Sequence, residues 1–390
     1  MPFYVKQGSI PPKRHIQHRN SAGKLYYEEL ISRAGFSDIY SNVYHIHPPT
    51  RVKHMGKFQS LELEPAFQAI HRHHHAETYK FSAGGDWISG RKPLYFNSDV
   101  VIGTASPSKN TDFIYRNGHA DELLYIQHGD GEVVSLFGNL AFGAGDYIVI
   151  PKGVPYQLNF TNTDGNQIFW VESAGPLKTP ARYRNHHGQH LEHAPYMERD
   201  FRVPELQAPV DKRGEFEIKV KLNGGYQTII QANHPFDLVG WDGYYFPWIF
   251  NINDFMPIVG KIHQPPPVHQ TFEAPGFVVC SFVPRLFDWH ELSIPAPYAH
   301  SNVDSDEILY YSRGNFMSRK GISEGSITLH PAGLPHGPQP GKYENSIGKT
   351  ETNELAVMVD TFKPLHLTAL ALEIDDPNYP LSWLEEDDSK

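Results

Sequence analysis

A chain of 390 residues, 39% hydrophobic and 20% charged, is long enough for two cores and too apolar to stay disordered, so it should fold as a two-domain soluble globule. Its formal net charge of −10 argues against a nucleic-acid partner, which would want a basic surface. Its single cysteine, Cys280, excludes an internal disulfide framework and fits a reducing, cytoplasmic setting, and no apolar run reaches the ~18 residues that would mark a membrane span.

In chain order, the N-terminus carries Lys6, Lys13, Arg14, His15 and Arg19 with no apolar stretch behind them, so it does not read as a signal peptide. Helices should be few, because Gly and Pro number 32 each and favour short elements joined by tight turns; Tyr26–Ala34 is the best helix candidate. His71, His73, His74 and His75, with Glu77 close by, form a cluster that reads as an exposed basic loop or a strand edge near the other domain. A second metal site is disfavoured there, since no distal ligand follows in a recognisable motif. Asp146–Pro151 and Leu355–Asp360 are short β-branched apolar runs bounded by Gly, Pro or acidic residues, as strands are. Residues 178–220 are polar, carry several Pro and His, and read as a long connection or an oligomer arm. Cys280, in GFVVCSFV, should be a buried strand residue, and Glu385–Asp388 a frayed acidic end.

An internal repeat organises the rest. DELLYIQHG at 121–129 matches DEILYYSRG at 306–314. GDYIVIPKGVPY at 145–156 matches GSITLHPAGLPH at 325–336, and ESAGPLKTPA at 172–181 matches DTFKPLHLTA at 360–369. The offsets are 185, 180 and 188 residues, in one order, which indicates a duplicated β unit. Short strands at close spacing predict an all-β fold of two related sandwich or barrel units: an N-terminal domain at 1–177, a linker at 178–220 and a C-terminal domain at 221–390.

Only the second copy carries a ligand set, in YAHSNVDSDE followed by GSITLHPAGLPH. His300, Glu307 and His336 offer two imidazoles and a carboxylate, the donor set that holds iron(II) on one face and leaves positions for a chelating substrate and O2. Asp306 competes with Glu307 as the carboxylate. The repeat register favours Glu307, which stands at the same distance from its glycine as Glu122 does. In the first copy Tyr156 replaces His336 and Tyr115 stands at about the place of His300, with His119 out of register, so that unit should hold no metal and serve packing and assembly.

With these residues in view the chain resembles the homogentisate 1,2-dioxygenase family of cupin proteins. The resemblance rests on GWDGYYFPWIFNINDF, KIHQPPP, PYAHSN, DEILYYSRG, HPAGLPHGP and MVDTFKPL in order; it runs from about residue 220 onward and is looser before that. It implies a bicupin fold and iron(II)-dependent cleavage of the ring of homogentisate (2,5-dihydroxyphenylacetate) by O2 to maleylacetoacetate. It implies His300, Glu307 and His336 as iron ligands and His263 as the acid/base histidine. Tyr298, Asn302 and His330 would line the substrate pocket, and Arg319 would anchor the substrate carboxylate. It also implies a homo-oligomer, a trimer or hexamer. The chain departs from the family pattern at Phe316, where the family has tyrosine. A family lysine falls at Arg319, or at Lys320 if the register slips by one. The alternatives are a dioxygenase for another dihydroxylated aromatic acid, such as gentisate, and a non-catalytic ligand-binding cupin.

Overall fold

The computed structural model describes residues 3–384, so the acidic run Glu385–Asp388 lies outside the described residues. Among them there is one α-helix, Ala369–Glu373; the other regular elements are strands and short 3-10 turns. The fold is all-β, of the cupin type.

The repeat pairs build two equivalent sheets. In the first half Asp121–His128 is flanked by Asp146–Ile150 and Gln167–Ser173, and beyond the latter by Val100–Ala105 and Arg91–Phe96. In the second half Asp306–Arg313 is flanked by Ile327–His330 and Leu355–Thr361, then Phe277–Phe282 and Gln270–Ala274. The glycines shared by the two copies sit where a left-handed backbone is needed: Gly129 and Gly314 have φ of 109° and 96°, Gly153 and Gly333 86° and 81°. The matching Gly pattern is therefore a turn skeleton.

Each half also completes the sheet of the other. His74–Ala76 precedes the first unit, yet it pairs with Ile327–His330 of the second. Trp248–Asn251 precedes the second unit, yet it pairs with Asp146–Ile150 of the first. His366–Leu367, after the second unit, joins Arg91–Phe96, while Lys178, after the first, bridges Glu273. These exchanges cover sheet edges that would otherwise be open to foreign strands. One hydrophobic core runs through both halves, with Phe169 stacked on Tyr310 at 4.7 Å across it. Cys280 is buried on its strand there.

Two expectations change. The strands Arg213–Leu222 and Gly225–Asn233 belong to a seven-stranded sheet with Ile114–Asn117 and Val52–Ser60, so pairing with the first half continues through Asn251 and does not stop at 178 or 221. Polar composition concealed this, because these strands face solvent on one side. Tyr26–Ala34 is not helical: Tyr27–Ser32 is a strand paired antiparallel with Tyr40–His45. So short a helix is marginal on propensity alone, whereas pairing gives each residue a cross-strand neighbour.

That pairing builds a buried acid–base cluster. His45 Nδ1 lies 2.6 Å from Asp237 and its Nε2 3.0 Å from Glu29. Burial alone would push the imidazole down, but the hydrogen bonds to Asp237 and Glu29 outweigh it and push it up to about 9. With the folded value raised, the stabilisation is complete below the unfolded imidazole value and is lost as pH rises through about 9. We expect roughly 1–3 kcal/mol of urea-measured stability to disappear between pH ~6.5 and ~9, and His45→Gln to flatten that fall. A wild-type profile level across that window would refute the assignment.

Candidate metal centre

His300 and His336 face each other across an antiparallel bridge, with His300 N donating to His336 O at 2.8 Å and the reverse bond at 2.9 Å. The bridge sets their rings side by side, 4.3 Å apart. Glu307 points to the same spot from the Asp306–Arg313 strand: its Oε2 is 3.7 Å from His300 Nε2 and 3.5 Å from His336 Nε2. The ligand atoms of the three residues lie within 4.8 Å of one another, and among the described residues this is the one cluster of that kind. Each imidazole has Nδ1 beside a backbone carbonyl, Tyr298 O at 3.3 Å and Leu334 O at 3.1 Å. Nδ1–H therefore donates there, and the Nε2 lone pairs converge on one point, the tautomer a metal needs. His336 Nε2 is buried without a hydrogen-bond partner.

Asp306 is excluded as the ligand. Its oxygens accept from Ala332 N and Leu365 N, each at 2.7 Å, so it ties turns together. Asp121 does the same in the first half, accepting from Lys152 N at 2.9 Å and Leu177 N at 3.1 Å.

The two halves differ in charge at equivalent positions. In the first, Glu122 and Glu172 are cross-strand partners bridged by the buried Arg91 guanidinium, and Lys221 also pairs with Glu172. Tyr156 OH donates to Glu122 at 2.7 Å, and Tyr115 and Tyr156 are register partners, as His300 and His336 are. In the second, Glu307 and Asp360 are cross-strand partners, but among the described residues no Arg or Lys forms an ion pair with either. Asp360 Oδ1 is buried and unpartnered. Burial, then the charge of Glu307, pushes the Asp360 carboxyl up to about 8. Where Arg91 pairs with both carboxylates of the first barrel, the second has converging donors and no Arg or Lys paired with its carboxylates among the described residues. That donor set fits a divalent metal ion.

The other expected residues fall in three places. His263 and Tyr298 stand at the rim: the His263 ring is 5.2 Å from that of Tyr298, which is 6.3 Å from His300, and Asp288 lies 3.6 Å from His263 Nδ1. Asn302 is half-buried and accepts from Gly333 N at 2.7 Å through its backbone carbonyl. His330 and Arg319 do not line an open substrate face, contrary to expectation. His330 is fully buried behind Glu307, and burial pushes its imidazole down to about 3, so it is neutral. Arg319 is 6% exposed, donates to Gly337 O at 2.6 Å and sits over Trp383 behind His330. Its head group is held by carbonyls of its own wall, which is why a surface-anchor role misplaces it.

The His71–His75 cluster is the exchanged strand and its approach. Arg72 and His74 pair with Asp375, and His75 Nε2 meets Ser326 Oγ at 3.0 Å. His73 reaches the wall of the metal pocket, edge-on to the His330 and His336 rings at 5.5 and 6.1 Å. Asp360, Tyr379 and Trp383 were not singled out from sequence, and His73 was read only as part of the exposed cluster. Asp360 alone had a usable signal, as the partner of Glu172 in the third repeat pair.

The family described as "Homogentisate 1,2-dioxygenase N-terminal" matches residues 98–252, so the family signal is not confined to the region after residue 220. A "putative dioxygenase" of Saccharolobus solfataricus is 42% identical over 386 residues, covering 98% of this chain and 99% of that protein. The homogentisate 1,2-dioxygenase of Rhodopseudomonas palustris is 24% identical over 411 residues, covering 96% of this chain and 90% of that protein. Among solved structures, a cupin 2 conserved barrel domain protein from Leptotrichia buccalis overlays with a TM-score of 0.33 and 10% identity, covering 78% of this chain and 100% of that one. With its two equivalent barrels and one intact donor set, the chain belongs to the homogentisate 1,2-dioxygenase family, a family of dioxygenases on the cupin fold.

Proposed function

We propose that this protein is an iron(II)-dependent ring-cleaving dioxygenase that converts homogentisate and O2 to maleylacetoacetate in aromatic amino-acid catabolism. The observation that carries the reading is the convergence of His300 Nε2, Glu307 Oε2 and His336 Nε2 in the barrel where, among the described residues, no Arg or Lys pairs with the carboxylate. Homogentisate as substrate is supported by the names of the relatives and by the motifs that this chain shares with them.

Bound iron(II) would supply joint activation of an aromatic diol and O2 at adjacent positions. The chain's own residues do the rest. The His300–His336 bridge fixes the two imidazoles relative to each other and would hold them as two ligands of the iron. His263, at the rim beside Tyr298, takes the proton that a ring hydroxyl loses on binding. Tyr298 and Asn302 frame the approach. No helix among the described residues is long and apolar enough to cross a membrane. A cytoplasmic homo-oligomer, trimeric or hexameric, completes the proposal.

The test is oxygen uptake by the iron(II)-loaded protein with homogentisate and, separately, gentisate. Uptake with homogentisate is expected; uptake with gentisate alone would overturn the substrate, and none with either despite bound iron would favour a binding protein. A thermal melt gives an independent check: metal at one hundred times its Kd should stabilise the fold by about 2.7 kcal/mol. An unchanged melt at millimolar iron(II) or cobalt(II) would refute the metal site.

A further inference from the structure

The wall behind Glu307 does more than fill space. We propose that His330 and Tyr379 are positioning residues that keep Glu307 a one-oxygen metal ligand; the proposal rests on the reading of His300, Glu307 and His336 as the metal site.

The two oxygens of Glu307 have different tasks. Oε2 faces His300 and His336, at 3.7 and 3.5 Å. Oε1 is 2.7 Å from His330 Nδ1. The other ring nitrogen, His330 Nε2, faces Tyr379 OH at 3.1 Å and Arg319 Nη2 at 3.5 Å. A guanidinium can only donate, so Nε2 accepts, the ring proton sits on Nδ1, and Nδ1–H donates to Oε1. Tyr379 then spends its hydroxyl proton on Nε2 and fixes that tautomer. The ring cannot turn away, because it is stacked between His336 at 4.4 Å and Tyr379 at 6.2 Å, with interplanar angles of 21° and 18°.

The consequence concerns coordination number. A carboxylate that binds through both oxygens occupies two metal positions, and one that binds through a single oxygen occupies one. With Oε1 held by His330, the three ligand residues would take three metal positions and leave three, enough for a substrate chelating through a ring hydroxyl and its carboxylate together with O2. The metal-free barrel lacks the device. The residue that faces Glu122 at the position His330 takes beside Glu307 is Ile150.

Tyr379 stands on the turn Tyr379–Trp383, near the end of the described chain. That terminal turn, which carries no ligand, is thereby part of the metal pocket.

The experiment uses the full chain loaded with iron(II), with Tyr379→Phe, His330→Leu and His330→Gln variants. Water positions on the metal are counted by electron paramagnetic resonance of the nitric oxide adduct in 17O-enriched water, and carboxylate denticity is read from a metal-bound crystal structure. In the wild type, one-oxygen Glu307 and two exchangeable waters beside nitric oxide are expected. Tyr379→Phe and His330→Leu should shift Glu307 to two-oxygen binding, lose one water and lower kcat by ~10–100-fold while retaining metal. His330→Gln keeps an amide donor for Oε1 and should preserve the wild-type count; it also serves if Tyr379→Phe does not fold. Two-oxygen Glu307 in the wild type, or an unchanged water count in His330→Leu, would overturn the positioning proposal while leaving the metal site standing. A wild-type protein that binds no iron would instead remove the metal site and this proposal with it.

Discussion

Replacing His336 with alanine is expected to give a folded chain that holds no iron and consumes no oxygen. His336 is 3% exposed, its Nδ1 donates only to the neighbouring Leu334 carbonyl, and its Nε2 has no hydrogen-bond partner, so the side chain ties no distant elements together. Its removal leaves one imidazole and one carboxylate, too few donors to hold iron(II) against water. Tyr156→Phe, at the equivalent place in the first barrel, should leave the iron content unchanged. It removes a hydrogen bond to the Glu122 carboxylate, at a cost of about 1.5–3 kcal/mol. Elemental analysis beside a urea titration separates the two effects. Iron loss in the Tyr156 variant would show that the metal is assigned to too small a region.

Arg91→Met should be among the most destabilising single substitutions in the protein, by about 3–5 kcal/mol. The guanidinium bridges Glu122 and Glu172, whose side chains are 2% and 3% exposed, and it lies 4.0 Å from the Trp87 ring. Removing it leaves two buried carboxylates facing each other, with Lys221 to answer only one. The variant that also carries Glu122→Gln should recover part of the loss, because a buried carboxamide can be satisfied by Tyr115 and Tyr156. Equal stability of Arg91→Met and the wild type in urea would mean that the first barrel does not depend on this ion pair. The contrast with the second barrel would then lose its force.

Much of this architecture is legible in the sequence, because a turn skeleton leaves local marks. Gly129 and Gly314 must be glycines for backbone reasons, and their spacing from Glu122 and Glu307 fixed the register that told Glu307 from Asp306. His300 and His336 were picked out by their residue types, with Tyr156 and about Tyr115 as their repeat equivalents, and the structure pairs the two members of each set across an antiparallel bridge. What escaped was long-range. Nothing local in His74–Ala76 says that it will pair with residues 250 positions later, and the polar stretch 213–233 gave no sign of its partners in the first half. Arg319 read as an anchor for the substrate carboxylate because a guanidinium can hold a carboxylate bidentately. Its burial depends on the Gly337 carbonyl and on the Trp383 ring of the C-terminal turn, which no spacing rule connects to it.

The exchange of strands also makes each half depend on the other for its fold. Cut between the halves, the chain would separate His74–Ala76 from the sheet that bears His330, and Trp248–Asn251 from Asp146–Ile150. Each fragment would carry a strand it cannot use and lack one it needs, so the two should be inert apart and recover only when mixed. Each half is in that sense a permanent chaperone for the other, joined to it by peptide bonds.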